Sequence, residues 1–131
     1  MATKSKFIIV KHKAKRAGDH FDLRFKIPGK STWDSFAIRK DIPIEPNKKV
    51  LAIKTHVHSE KEALFTGEIK SGYGAGTLTE WDSGSCMIQK YTPIHIIINF
   101  KGKKIKGIYH LISTVVMSKE KNNFMFFKGK S

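Results

Sequence analysis

The stretch HFDLRFK at residues 20–26 sets a histidine, a carboxylate and a guanidinium on alternate positions. In an extended chain successive side chains point to opposite faces, so His20, Asp22 and Arg24 share one side and Phe21, Leu23 and Phe25 the other. The apolar side reads as core. The polar side gathers a metal-capable imidazole, an acid and a permanent cation. Two further stretches present histidines to the same chemistry. In KFIIVKH (6–12), His12 lies on the side of Ile8 and Val10; in VLAIKTHVH (50–58), Leu51, Ile53 and Val57 share one face and Lys54, His56 and His58 the other. Two imidazoles and one carboxylate suit a divalent transition metal that keeps positions open for water and a phosphate oxygen. Arg24 is spaced to clamp that phosphate with its planar fork. The same alternation also suits a cross-strand salt-bridge ladder with no metal. His95 and His110 read as surface or hydrogen-bonded residues.

The stretch SGYGAG (71–76) has the glycines of a phosphate-cradling loop, yet no Lys-Ser or Lys-Thr follows it and the next residues, TLTEW, read as strand. It is expected to be a tight turn, with Tyr73 facing the groove.

These side chains need strands to position them. Short β-branched and aromatic groups separated by Gly, Pro, Asn and Lys predict strands over 6–12, 20–27, 35–38, 50–58, 64–69, 77–81, 94–100, 105–116 and 123–128. Turn residues fall at 28–30, 71–76, 82–85 and 100–103. So many strands in 131 residues predict an all-β, mainly antiparallel fold with minor helix: a small closed or nearly closed barrel, since closure removes exposed edges. Phe21, Leu23, Phe25, Leu51, Ile53 and Val57 are expected to face its interior. The length fits one domain over 1–131.

Lys plus Arg number 25 against 11 Asp plus Glu, a formal charge of +14 that favours a polyanionic partner, with nucleic acid foremost. Cys86 is the only cysteine, so no intrachain disulfide is possible and a reducing, cytoplasmic, nucleoid-associated setting is expected. The apolar run Phe7–Val10 is too short for a signal peptide or membrane span, and a monomer without membrane attachment is expected.

The order of the pieces is specific: KH at 11–12, HFDLRF at 20–25, SFAIRK at 35–40, LAIKTHVH at 51–58, FTGEI at 65–69 and YGAGTLTEWDSG at 73–84. This resembles, over nearly the whole chain, the 3′-phosphoesterase domain of bacterial DNA ligase D proteins and its stand-alone relatives. The resemblance implies a β-barrel enzyme dependent on a divalent metal, typically manganese (Mn2+). Such an enzyme removes a 3′-terminal ribonucleoside and then the 3′-phosphate from DNA ends, including primer-template ends. It implies that His12, His20 and Asp22 hold the metal, that Arg24 and His58 contact the reacting phosphate, and that Lys40 helps bind substrate. No Lys-x-Asp-Gly nucleotidyl-transfer motif occurs, so sealing is expected from a separate ATP-dependent DNA ligase.

The sequence also departs from the family pattern. Phe21 and Phe36 replace a Tyr and a Trp, Lys26 replaces a Glu, His56 and Val57 replace Glu-Asp, Thr66 replaces a Glu, and Glu62 stands where an aromatic is usual. The eight-residue step from His12 to His20 is two longer than usual, so KAKRAGD is expected to bulge outward. These changes keep a second reading open, that of a non-catalytic basic barrel binding nucleic-acid ends or single strands. A third reading, an RNA-associated structural protein, accounts for the charge but not for the grouped His, Asp and Arg.

Overall fold

Apolar residues that recur at every second position need a partner surface on one side only, and nine such strands find it by curling around one another. The structure, a computed structural model, describes residues 2–130. Its elements are β1 (Thr3–Ala14), β2 (Gly18–Lys26), β3 (Trp33–Ile38), β4 (Lys49–Lys54), α1 (Glu60–Ala63), β5 (Gly67–Ile69), β6 (Gly76–Tyr91), β7 (His95–Lys101), β8 (Lys106–Ser113) and β9 (Asn123–Lys128). The sheet order is β1-β2-β3-β4-β9-β8-β7-β6-β5, and β6 also pairs with β1. Eight strands therefore close an antiparallel barrel, and β5 adds a short extra strand beside β6.

The inner faces supply an aromatic core. Phe7, Phe25, Phe36, Phe100, Phe124 and Phe126 are buried together with Ile9, Leu23 and Tyr109. Fully burying each such side chain contributes roughly 1.5–3 kcal/mol before ordering costs. Burial also pushes the Tyr109 hydroxyl up to about 12, and that hydroxyl donates to the Pro43 carbonyl at 2.6 Å.

The expected interior set is only partly found. Leu23 and Phe25 are inside, and Phe21 is half-buried with its edge on Trp81. Leu51 and Val57 face out, at 42% and 50% exposure, and Ile53 lies on the outer side of β4. The reason is the neighbour strand. Val50 and Ala52 pair with Phe126 and Phe124 of β9 and turn inward beside them, where those large rings leave room for a small partner. β4 then ends at Lys54, so residues 55–58 are not strand, apart from one bridge between His58 and Trp33.

Other boundaries moved for local reasons. Residues 82–85 were expected to turn, but β6 runs straight through them, with a register shift opposite Ile9 and Val10. Asp82 is instead a cap. Its buried carboxylate accepts from the backbone N–H groups of Ser83, Lys103, Lys104 and Ile105, and so closes the β7–β8 turn. The expected strand 64–69 is preceded by α1 and shortened to β5, and the strand expected to reach 116 stops at Ser113, where Thr114 begins a turn. KAKRAGD does not bulge. The β1–β2 ladder continues regularly through Lys13↔Asp19 to Ala14↔Gly18, so the added length becomes hairpin.

Asp82→Ala should destabilise the protein by roughly 1–3 kcal/mol, because it leaves the buried Ile105 N–H without its acceptor and loosens three part-buried N–H groups of the same turn. Urea unfolding followed by fluorescence measures this; a loss below about 0.5 kcal/mol is what an ordinary surface position would give.

Candidate metal centre and groove

The outer faces of β1, β2 and β3 are not left to solvent. Ile8 and Val10 of β1 and Trp33 of β3 form a second apolar cluster with Ala63 and Leu78. The chain between β4 and β6 folds over this face and carries α1, β5 and the 71–76 turn. His12, on the side of Ile8 and Val10, therefore shares this covered face with His20, Asp22 and Arg24, and His12 and His20 are cross-strand partners.

Ligand-capable atoms of His12, His20 and Asp22 lie within 4.8 Å of one another. His20 Nε2 is 3.2 Å from Asp22 Oδ1, and His12 Nδ1 is 3.6 Å from Asp22 Oδ2. Each imidazole spends its other nitrogen on a backbone carbonyl. His12 Nε2–H donates to Gly74 at 2.8 Å and His20 Nδ1–H to Gly18 at 2.9 Å. Those bonds leave His12 Nδ1 and His20 Nε2 facing Asp22, where each can offer a lone pair to an ion once it carries no proton. Two imidazoles and a carboxylate, all oriented, fit a divalent transition metal. The 71–76 segment is the expected turn, and it also supplies the Gly74 carbonyl. Its last residue, Gly76, must be glycine: at φ +150° a Cβ there would collide with the Lys13 carbonyl.

Arg24 is buried behind the triad. Its Nη2 donates to Asp22 Oδ2 at 3.2 Å, and its Nη1 to the carbonyls of Glu62 and Ala63 at 3.2 and 3.1 Å. The fork expected to clamp phosphate is thus largely engaged within the protein, leaving one Nη2 N–H for a contact and the buried Nε–H without a partner. Burial lowers the Arg24 value, and the Asp22 charge opposes that. Burial disfavours ionised Asp22, yet the His20 hydrogen bond and the charges of His20, Arg24 and His12 outweigh it and hold its carboxyl below the ordinary range. The hydrogen bond to Asp22 raises His20. Burial lowers His58, helped by the charges of Arg24 and His56, so this imidazole is neutral at pH 7.

The triad opens into a groove of about 530 Å³ whose lining includes Arg24, Arg39, His56, His58 and Tyr73. Tyr73, 66% exposed, stands at the groove as expected. The rings of His56 and His58 lie 4.4 Å apart. Lys40 is exposed just past β3 and is not part of the lining, whereas Arg39 is. Arg39 Nη1 donates to Ala17 at 2.8 Å and so pins the extended β1–β2 hairpin. His95 and His110 are hydrogen-bonded to each other at 2.9 Å, as one of their two expected readings had it.

Comparison with known proteins agrees with this geometry. Residues 10–113 match the family described as DNA ligase D 3′-phosphoesterase domain. The chain belongs to that family. The phosphoesterase stretch is 37% identical over 113 residues to the multifunctional non-homologous end joining DNA repair protein LigD of Mycobacterium tuberculosis, covering 82% of this chain and 14% of that protein. The Mycolicibacterium smegmatis LigD is 36% identical over 121 residues (83% and 15%), and the Pseudomonas aeruginosa LigD 31% over 131 residues (92% and 14%). The chain thus spans about one seventh of the length of these curated relatives. Among the described residues no helix is long and apolar enough to cross a membrane.

Several members of this site escaped sequence reasoning. The carbonyls of Gly18, Gly74, Glu62 and Ala63 cannot be read from side-chain types. α1 could have been found, because Ser59 and Glu62 form a reciprocal capping box, the S-x-x-E pattern that marks a helix start. Arg39 was passed over for Lys40.

Metal binding should be proton-linked. His20 is raised above 6.5, so the metal-free His20–Asp22 ion pair persists below 6.5 and is lost as pH climbs through the elevated His20 value. At the acid end the pair is lost as pH falls through the Asp22 value, which lies below 3.8. Mn2+ binding should therefore release more protons at pH 6.5 than at a pH above the raised His20 value, as calorimetry in buffers of different ionisation enthalpy reports. Equal release at both values would show that His20 does not change protonation on binding.

Proposed function

We propose that this chain is a metal-dependent phosphoesterase of DNA 3′ ends, working in end-joining repair on primer-template termini, including those ending in a ribonucleotide. The observation that carries the reading is the oriented His12, His20 and Asp22 triad beside Arg24 in a groove, on a chain of a 3′-phosphoesterase family. His12 Nδ1, His20 Nε2 and the Asp22 carboxylate would hold the ion, most suitably Mn2+. When bound, it supplies Lewis-acid polarisation of a phosphoryl oxygen.

The protein's own groups do the rest. Gly74 and Gly18 keep both imidazoles in the tautomer that can ligate. Arg24, fixed by three hydrogen bonds, directs its charge and one remaining Nη2 N–H at the phosphate, so little reorganisation is needed as charge develops. Neutral His58 serves as a hydrogen-bond partner to the same phosphate, a role favoured over that of a standing cation by its lowered value. Lys40 and the overall +14 hold the backbone outside the groove. The ribonucleotide preference follows from the family resemblance alone.

The alternative of a binding-only barrel loses one of its two supports, because the longer His12–His20 interval leaves the two residues paired across the hairpin, while the changed acids near His58 stand. A labelled primer-template ending in one ribonucleotide tests the proposal. Wild type with Mn2+ should trim the 3′ end, Asp22→Ala should fall to background with an unchanged circular dichroism spectrum, and His58→Ala should lose on the order of 10²-fold in kcat. Binding without 3′ trimming by wild type would return the chain to the binding-module reading.

A further inference from the structure

The chain covers the outer face of β1–β3 with residues 55–75 and leaves the face across the barrel bare. There Leu51 of β4, Met125 of β9 and Ile112 of β8 stand side by side in register, on the side opposite to their buried neighbours. Phe127 and Ile97 extend the face one step along the strands. At its far end the turn after β8 adds Val116 and Met117, which are 91% and 90% exposed. That turn is fastened, since the N–H groups of Met117 and Ser118 donate to the Thr114 carbonyl at 2.9 and 2.8 Å. Single exposed apolar residues are ordinary; two held out beside an apolar strand face make a contiguous patch of the kind that marks an interaction surface.

Charge around the patch selects what covers it. β4, β7, β8 and β9 contain no Asp or Glu. Lys49, Lys101 and Lys106 stand at the end away from Met117, and among the described residues no carboxylate pairs with them. The face is therefore apolar at one end and cationic at the other. A second copy fits it badly. Aligned, the lysines of two chains meet, each chain carrying +14; reversed, they are buried against Met117 with no counter-charge. A nucleic-acid base fits badly too. The Phe127 ring stands between the His110 ring, stacked on it at 5.3 Å, and the Lys49 ammonium, 4.9 Å away on the other side of β9, so neither ring face is free to stack. An acidic protein surface with an apolar centre meets both properties, and the opposite face shows the form it takes, because there a helix lies on the strands and sets Ala63 on Ile8 and Val10. Lys106 and Ser113 are about 23 Å apart along β8, the length of a helix of about fifteen residues. We propose that the outer face of β4, β9, β8 and β7 docks an amphipathic helix of a partner protein, its apolar side chains on Leu51, Ile112 and Met117 and its carboxylates at the Lys49, Lys101 and Lys106 end. β9, β8 and β7 lie across the ring from the groove, which stays open when the face is occupied. The surface stands apart from the reaction proposed above.

The probe is a stapled helical peptide of about fifteen residues, with leucines at helical spacing on one face and glutamates at one end. Titrated into the isotope-labelled full chain without metal, it should shift the amide resonances of Leu51, Ile112 and Met117 and leave those of His12, His20 and Asp22 in place. Val116→Ser/Met117→Ser, which leaves charge unchanged, should weaken binding about tenfold. Lys49→Gln/Lys106→Gln should weaken it and flatten its dependence on salt. A peptide of the same composition scrambled off the helical face, and one with lysine for each glutamate, should bind at least tenfold more weakly than the probe. No shift at this face with the probe in large excess, equal binding of the scrambled peptide, or a dimer that Val116→Ser/Met117→Ser dissolves would overturn the proposal. So would stronger binding at this face of phosphatidylglycerol vesicles or oligo-dT than of the probe. Loss of 3′ trimming in the wild type would defeat the reaction and leave these shifts untouched.

Discussion

Asp22 is a carboxylate buried on the outside of a barrel, and the neighbourhood is arranged around keeping it ionised there. Burial alone would push a proton onto it. His20, His12 and Arg24 each place a nitrogen within 3.6 Å of its oxygens. Removing any one weakens the others: without the arginine the acid gains a proton more easily, and without the acid the arginine is a buried cation with no counter-charge. The triad behaves as one electrostatic unit.

That unit depends on a covering layer the barrel does not need for closure. Eight strands complete the ring without residues 55–75. The detour brings Ala63 onto Ile8 and Val10, the Gly74 carbonyl onto His12, and the α1 carbonyls onto Arg24. β1 and β2 are consequently buried on both faces, with core on one side and site on the other. Side chains on strands held this way lose little freedom on binding a ligand, which is the physical basis of preorganisation.

Period-two alternation made most of this readable. It grouped His20, Asp22 and Arg24, set His12 with Ile8 and Val10, and predicted an antiparallel barrel, because a strand's pattern reports which residues share a face. It failed where a neighbour decides. β4 carries hydrophobic residues on both faces, and the ones that turn inward were chosen by Phe124 and Phe126 across the ladder, so Leu51 and Ile53 were assigned to the wrong side, while Val57 lies past the end of the strand. Asp82 in DSGS looked like a turn residue, since Asp serves turns and caps alike; which it does depends on the β7–β8 hairpin, about twenty residues later in the chain. Backbone carbonyls that orient the ligands leave no side-chain signature.

The loss of acids around the site takes on a definite meaning once positions are known. Lys26 lies beyond Arg24 on the same face, and His56 stacks beside His58, so neither changed residue touches the His12, His20 and Asp22 triad. The metal-capable set is preserved while the charge around it shifts toward positive. Burial and then the Arg24 charge lower the His58 value, and an extra cation near the groove stabilises any phosphate brought there. It does so at the expense of affinity for a metal ion, which the same positive field repels. Asp22, held ionised by its partners, is the one formal negative charge within the triad to counter that field, and the geometry gives it two imidazoles already turned toward it to share the load.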